Sequence, residues 1–166
     1  MKYISSDTNI WIDYMVIGKL DLPFRLPYTY LMNQDAVEDE LLSPKGLKRQ
    51  LLEFGLVPVE LNENEFFYGL EIAERFTKLS KYDCSALAIA KKRNIVLLTG
   101  DAELRKVAQS EGVTVMGTIG LLDRAFNDEV ISTEEYKECL NKLKEVNGRE
   151  VRLPLKELQE RLNRFR

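Results

Sequence analysis

Short apolar runs alternate along the chain with longer stretches in which apolar residues recur at helical spacing. Five of the runs predict β-strands: "KYISS" (2–6), "YTYLM" (28–32), "LVPVEL" (56–61), "IVLLT" (95–99) and "VTVM" (113–116). The run at 95–99 is apolar without alternation, as expected of a strand that is buried on both faces. Helical spacing predicts helices at 8–17, within 33–42, at 46–55, after Asn62, from Asp83, from Asp101, at 118–127 and at 133–146.

This alternation of strands and helices predicts an α/β fold in which right-handed crossovers build a parallel sheet. We expect a doubly wound sheet of about five strands, flanked by helices, with a C-terminal helical extension. Residues 1–146 would form the α/β domain, and 147–166 a basic amphipathic tail rather than a separate domain. An apolar stripe in this tail packs either on its own domain or on a partner, and consists of Leu155, Leu158, Leu162 and Phe165.

Polar residues mark the places where several helices are expected to begin. Asp35 and Glu38 resemble a capping box, with Asp35 at the N-cap, and Asn62 and Glu65 form a similar pair. Asp83 is expected to start the helix that ends in a basic cluster near residue 93. The helix after Asn62 is predicted to carry a core-facing stripe of Phe66, Leu70, Ala73 and Phe76.

Composition narrows the class of protein. A chain of 166 residues with 45% hydrophobic and 31% charged residues is most simply one globular domain. No apolar run is long enough to span a bilayer, and "MKYISSD" is too polar for a signal peptide. Cys84 and Cys139 lie far apart without a CxxC pair, which favours free thiols. These features predict a cytoplasmic protein with no membrane contact.

The chain contains no histidine. This excludes Ser-His-Asp and Cys-His catalysis, histidine bases and histidine-ligated zinc, so hydrolysis would depend on carboxylates, lysines, hydroxyls or oxygen-ligated metals. A net charge of −3 does not by itself indicate a nucleic-acid binder. The charge is uneven, however, because residues 142–166 contain eight basic and four acidic side chains.

Acids follow two of the predicted strands. Asp7 comes after the first strand and Asp101 after the fourth, where parallel sheets bind ligands beyond their carboxyl ends. Asp83 is placed at a helix start, and Glu40 in the helix after the second strand. Each aspartate could equally be a helix N-cap, and helical spacing does not choose between Glu38 and Glu40. Carboxylates that do converge would repel one another unless a cation such as Mg²⁺ or Mn²⁺ neutralised them.

The segments "SDTNIWIDY", "VEDELL", "YDCSALAIAKKRNIVLLTGD" and "LRKVA" resemble, in order, the acidic motifs of the PIN-domain nuclease family, which includes the VapC toxins. The resemblance runs from the first strand to about "GTIGLL" (117–122). It selects Glu40 over Glu38 and implies second-shell or substrate-orienting roles for Asn9 and Thr99. The catalytic and metal-binding acids that it implies are Asp7, Glu40, Asp83 and Asp101.

By this resemblance the protein would be a PIN-like ribonuclease that uses Mg²⁺ or Mn²⁺ to hydrolyse RNA. It also implies a toxin role with a protein antitoxin, and a homodimer. From "GTIGLLDRAF" onward the chain resembles a longer subgroup of the family, and this departure bears on the partner and the toxin role rather than on the metal site. Arg105, Lys106 and the basic residues of the C-terminal tail are candidates for RNA-backbone contacts, whereas 91–93 are better explained as a solvated helix end.

Three other classes of protein share some of these features. A haloacid-dehalogenase-type phosphatase also has an acid after its first strand, but it needs a second acid where this chain has Asn9. A response-regulator receiver needs paired acids and a late lysine, neither of which can be placed. A catalytically silent binding module would keep the fold, use its acids only as helix caps and dock a protein through its tail.

Overall fold

The computed structural model describes residues 2–165. Within that range five parallel strands form one sheet in the order β3-β2-β1-β4-β5. The order reverses between β1 and β4, so the carboxyl ends of these neighbouring strands flank the position where such sheets bind ligands. The predicted doubly wound parallel sheet is therefore confirmed. The strands are β1 (Lys2–Ser6), β2 (Tyr28–Asn33), β3 (Val57–Val59), β4 (Val96–Leu98) and β5 (Val115–Met116).

Helices cover both faces of the sheet. Within residues 2–165 none of them is long and apolar enough to cross a membrane. A short 3₁₀ helix at Leu22–Arg25 precedes β2. The α-helices of the described range are α1 (Thr8–Val16), α2 (Gln34–Glu40), α3 (Leu47–Phe54), α4 (Glu63–Arg75), α5 (Lys81–Arg93), α6 (Ala102–Ser110), α7 (Thr118–Asn127), α8 (Thr133–Val146) and α9 (Leu155–Asn163).

The larger hydrophobic core joins α1, β2, α7, α8 and α9. Trp11 at its centre is fully buried, stacks on Phe24 at 5.3 Å and meets the edge of Tyr30 at 5.2 Å. Its indole N–H donates to the Ser6 hydroxyl at 3.2 Å, which satisfies the buried polar atom. A second core lies among α4, α5 and α6 on the other side of the sheet. Trp11 is therefore a core residue and is not exposed for base stacking.

The C-terminal tail packs on the rest of the chain. Leu158 is fully buried in the larger core, and Phe165 packs against the same core. Arg161 holds the tail further by donating to both oxygens of Asp123 on α7. Leu155 is 57% exposed, so only part of the predicted stripe is covered. This arrangement favours packing on its own domain over a partner contact for most of the stripe.

The buried face of α4 differs from the predicted one. The helix begins as predicted, because Asn62 and Glu65 form a reciprocal capping box. Phe66 and Leu70, however, are 50% and 48% exposed. The helix turns Gly69 toward α5 instead, where an added Cβ would lie 3.8 Å from a backbone carbonyl oxygen. The buried face of α4 is formed by Glu65, Tyr68, Gly69 and Ile72, and of the predicted stripe only Ala73 and Phe76 pack against the second core.

Two other predicted helix starts are wrong. The N-cap of α2 is Asn33, whose side chain accepts from a first-turn N–H, and Asp35 lies inside the first turn. The N-cap of α5 is Ser80, and Asp83 is the third residue of the helix, bonding back in a capping box. In both helices a polar side chain further upstream occupies the N-cap and accepts from a first-turn N–H. The Asp83 side chain therefore projects from the first turn of α5 and not from the N-cap position that precedes the helix.

Candidate active site

Asp7 follows β1 at the point where the strand order reverses. Its backbone N–H donates to the carbonyl oxygen of Leu98 at 3.0 Å, which ties the end of β1 to the end of β4. Its side chain caps α1, since Oδ1 accepts from the backbone N–H of Thr8 at 2.9 Å. The carboxylate is 5% exposed, so it lies at the bottom of the site rather than on the surface.

Thr99 connects Asp7 to Asp101. The Thr99 hydroxyl donates to Oδ2 of Asp7 at 2.9 Å and accepts from the backbone N–H of Asp101 at 3.1 Å. Asp101 in turn caps α6, with Oδ1 accepting from the N–H of Leu104 at 2.8 Å. Thr99 is fully buried, so one hydroxyl fixes the relative positions of two acid-bearing loops.

Glu40 reaches the same region from the end of α2. Its Oε1 accepts from the hydroxyl of Thr8 at 2.8 Å, and Thr8 is the residue whose N–H binds Asp7. Glu38 is exposed and bonds instead to the side chain of Gln34 within its own helix, at 2.9 Å. This placement favours Glu40 over Glu38 as the acid of the site.

The carboxylates of the site influence one another's protonation. Burial, together with the negative charges of Asp83 and Glu40, raises the pKa of Asp7 to about 7, against hydrogen bonds from Thr99 and Thr8 that lower it. Burial also raises the pKa of Asp83, and the charge of Asp101 adds to that effect. The four predicted acids therefore share one electrostatic environment, in which each charge makes the next more costly.

Three of these acids also contribute to the N-terminal caps of helices. Asp7 and Asp101 are N-caps, and Asp83 completes the capping box of α5, accepting from the backbone N–H of Ser80 at 2.9 Å. Capping occupies one oxygen of Asp101 and leaves its Oδ2 without a hydrogen bond to residues 2–165. Capping and ion binding are therefore compatible at these positions.

The oxygen donors of the site suit a magnesium-type ion that keeps some of its waters better than a metal coordinated entirely by protein side chains. Across residues 2–165 no group of three or more Asp, Glu, Cys or His side chains lies close enough to hold a metal by direct coordination alone. The donors at the site are carboxylate and hydroxyl oxygens. Mg²⁺ prefers oxygen ligands, keeps several waters and needs only one or two carboxylates. The residues therefore fit Mg²⁺ or Mn²⁺ bound partly through water, and they do not fit zinc.

Asp13 and Thr118 are site residues that the sequence reasoning missed. Asp13 is 7% exposed on α1, and its Oδ2 accepts from the hydroxyl of Thr118 at 2.6 Å. A Cβ on Gly100 would lie 3.7 Å from the same oxygen, which places Asp13 against the loop between Thr99 and Asp101. Burial raises its pKa to about 6, although the Thr118 hydrogen bond lowers it. In the sequence, the available signal for Asp13 was the position of an acid three residues after Ile10, a residue that is buried.

The other predicted residues lie around this centre. Asn9 is exposed in the first turn of α1, and Lys106 is exposed on α6. Arg105 is half-buried on α6 and lies against Gly117, where an added Cβ would overlap its guanidinium. Tyr14 on α1 is fully buried and its hydroxyl donates to the backbone carbonyl of Thr118, so its ring is not exposed for base stacking. Asn9, Arg105 and Lys106 therefore stay predictions as substrate contacts.

The basic cluster at the end of α5 makes structural contacts. Lys91 donates to the backbone carbonyl of Glu111 at 2.6 Å. Arg93 binds Glu65 of α4 at 2.6 Å, and Glu65 is fully buried. Burial alone would raise the pKa of Glu65, but its hydrogen bonds to Arg93 and to a backbone N–H hold that pKa below its usual value. Residues 91–93 are exposed, as expected of a solvated helix end, but Lys91 and Arg93 also hold α5 to its neighbours.

Comparison with known proteins gives one informative result. A family model described as "PIN domain" matches residues 3–166. The matched range includes β1, all four predicted acids and α9. No curated protein and no solved structure matches the chain significantly.

Proposed function

Because the chain belongs to the PIN-domain family, whose members are typically nucleases, we propose that it is a Mg²⁺- or Mn²⁺-dependent endoribonuclease. The observation that supports this most strongly is the link through Thr99, which holds Asp7 and Asp101 together where the strand order reverses. If Asp7 and Asp101 served only as helix caps, no buried hydroxyl linking their two loops would be needed.

Asp7, Asp83 and Asp101 would hold the ion, directly or through water. A divalent ion bound there supplies two things: it makes a nearby water more acidic, and it neutralises charge on the phosphodiester. Glu40 would orient the attacking water with its Oε2, while Oε1 stays on Thr8. The water oxygen would form a bond to phosphorus while the water proton passes to Glu40. The bond from phosphorus to the leaving oxygen would break, and the leaving oxygen would take up a proton from solvent. No histidine is needed for these steps.

The ion and protons would compete for Asp7. Its pKa of about 7 means that the metal-free carboxyl is partly protonated near neutral pH. A cation beside Asp7 favours the charged form and lowers this pKa. Ion binding is therefore expected to release protons and to strengthen as the pH rises.

RNA cleavage tests the proposal. Purified protein is incubated with end-labelled single-stranded RNA in Mg²⁺, Mn²⁺ or EDTA, and the products are separated by gel electrophoresis. We expect cleavage only with a divalent ion, and a loss of at least about 100-fold in Asp101→Asn. Cleavage that survives EDTA, or an Asp101→Asn variant as active as wild type, would overturn the mechanism.

A catalytically silent binding module is the second candidate. The observation that favours it is that three of the acids cap helices and that residues 2–165 contain no direct three-ligand group. Calorimetry with Mn²⁺ separates the two candidates. The nuclease binds Mn²⁺ and loses affinity in Asp7→Asn, whereas the silent module binds no Mn²⁺ or binds it equally in both proteins.

Finer features implied by the VapC resemblance stay predictions. These are the toxin role, a protein antitoxin, a homodimer and a cytoplasmic location. The division into a nuclease domain at 1–146 and a tail at 147–166 is likewise part of the proposal. In this proposal the tail would act together with the nuclease domain, because Leu158 of the tail packs in the larger core.

A further inference from the structure

A cleft of about 710 Å³ lies beyond the carboxyl end of β5, between α6, α7 and the C-terminal tail. A pocket of this size is in the range of small-ligand sites. Its charged lining is predominantly basic, with four arginines and two acids. These side chains are Arg105 from α6, Asp123 and Arg124 from α7, and Arg152, Glu157 and Arg161 from the tail.

Three of the four arginines have no acidic partner. Arg161 is neutralised by Asp123, with its Nη2 at 2.9 Å from Oδ2. Within residues 2–165, Arg105, Arg124 and Arg152 make no salt bridge. Unpaired guanidinium groups that line one cleft create a positive potential, and their planar donors match phosphate oxygens. The cleft is therefore suited to a phosphate-bearing ligand.

The start of α7 adds to this potential. Gly117 is its N-cap and provides no side-chain cap, and the first residues of the helix line the cleft. The first N–H groups of a helix are free to bind an anion. Gly117 also lets the Arg105 guanidinium lie across the helix start, a position that any Cβ would block.

The cleft opens beside the acid site. Gly100 and Thr118 belong to its lining, and they flank Asp13. A Cβ on Gly117 would lie 3.6 Å from the backbone oxygen of Thr99, whose hydroxyl binds Asp7. The cleft and the acid site therefore share the loop that carries Thr99 and Gly100.

We propose that this cleft binds backbone phosphates of single-stranded RNA next to the scissile bond, with tail residues 152–161 as its outer wall. This inference rests on the proposed ribonuclease function. It gives the tail a role in substrate binding and reconciles an acidic protein with a polyanionic substrate, because the positive charge is concentrated in one place.

RNA binding without cleavage tests the cleft. The dissociation constant for a fluorescein-labelled single-stranded RNA is measured by anisotropy in EDTA, over a series of salt concentrations. In the Arg124→Ala/Arg152→Ala protein we expect affinity to fall and the slope of log K against log salt to decrease by about 1.4, for two lost phosphate contacts on a single strand. Both side chains are exposed, so folding should be unchanged, and Arg152→Glu should weaken binding further.

A matched control removes the same charge elsewhere. Lys45→Ala/Arg49→Ala loses two exposed basic residues around the start of α3, outside the cleft. Its salt slope should stay near the wild-type value. Equal affinities and slopes in the cleft and control variants would overturn the inference. Wild-type protein that binds RNA through the cleft but never cleaves it would contradict the nuclease proposal alone, and absence of any RNA binding would contradict both.

Discussion

The Thr99 hydroxyl donates a 2.9 Å hydrogen bond to the Asp7 carboxylate, across 92 positions of sequence. A hydroxyl has one proton, and the backbone N–H of Asp101 must be the donor in its own bond to Thr99. The Thr99 proton is therefore committed to Asp7. This bond lowers the pKa of Asp7 against the burial and repulsion that raise it, and so helps to keep the acid ready for a cation.

Replacing Thr99 with valine should weaken ion binding. Thr99→Val keeps the shape of the side chain but removes the proton that Asp7 receives, so the pKa of Asp7 should rise above about 7. We expect Mn²⁺ affinity at neutral pH to fall about tenfold and the free energy of unfolding to fall by about 1–3 kcal/mol. Calorimetry and chemical denaturation measure the two effects. Thr99→Ser, which retains the hydroxyl, is the control, and wild-type Mn²⁺ affinity in Thr99→Val would refute this role.

Stability without metal should depend on pH through Asp7 and Asp13. Their folded-state pKa values of about 7 and about 6 lie above the unfolded value of 3.8. The folded state therefore binds protons more tightly, and this stabilisation, complete below about pH 4, is lost as the pH rises through about 6 and about 7. For Asp7 the shift corresponds to roughly 4 kcal/mol, at about 1.36 kcal/mol per unit.

The Asp13→Asn variant isolates one part of this effect. Asparagine can still accept from Thr118 but carries no charge, so the variant should gain stability relative to wild type as the pH rises from about 4 to about 6 in EDTA. Urea denaturation at several pH values measures the difference in unfolding free energy. A difference that stays constant across this range would show that the Asp13 pKa is not raised.

Glu40 and Glu38 offer a matched pair on one helix. Glu40→Gln keeps an oxygen for the Thr8 hydroxyl but cannot take a proton from water, so the rate of RNA cleavage should fall about 100-fold or more. Glu38→Gln removes the same charge from an exposed position and should stay within about twofold of wild type. Single-turnover cleavage at saturating Mn²⁺ compares them. Similar rates for the two variants would remove Glu40 from the mechanism.

The ion pair between Arg93 and Glu65 should affect the free energy of unfolding and not the rate of RNA cleavage. Arg93→Ala would leave the fully buried Glu65 without its guanidinium partner, and we expect a loss of about 2 kcal/mol in unfolding free energy. Cleavage should be unchanged, because Arg93 ends α5 whereas Asp83 lies in its first turn. Lys78→Ala, at an exposed position between α4 and α5, is the control for lost charge. Thermal and urea unfolding give the result, and equal stability of the two variants would contradict it.

Much of the fold followed from local patterns in the sequence. The apolar runs predicted the five strands, and the strand-to-helix junctions predicted the position of Asp7 and Asp101 at one edge of the sheet. The resemblance, rather than helical spacing, selected Glu40. These features depend on strand periodicity and chain direction, which are visible in short windows.

The rest depended on contacts between distant parts of the chain. Asp13 is bound by Thr118, 105 positions away, so a single acid in a helix gave little indication of its role. The sequence of α4 offers two overlapping apolar stripes, and contact with α5 and the second core decides that the one with Tyr68 and Ile72 is buried. The basic cleft needed α6, α7 and the tail to be assembled in space before its arginines could be seen as one group.

Anomalous diffraction from crystals soaked in Mn²⁺ tests the central claim most directly. We predict a manganese peak within about 2.0–2.3 Å of a carboxylate oxygen of Asp7 or Asp101, with remaining ligands supplied by water and neighbouring acids. The peak should vanish in Asp101→Asn crystals grown in the same way. Wild-type crystals at millimolar Mn²⁺ without any peak at these acids would contradict an ion-dependent nuclease site.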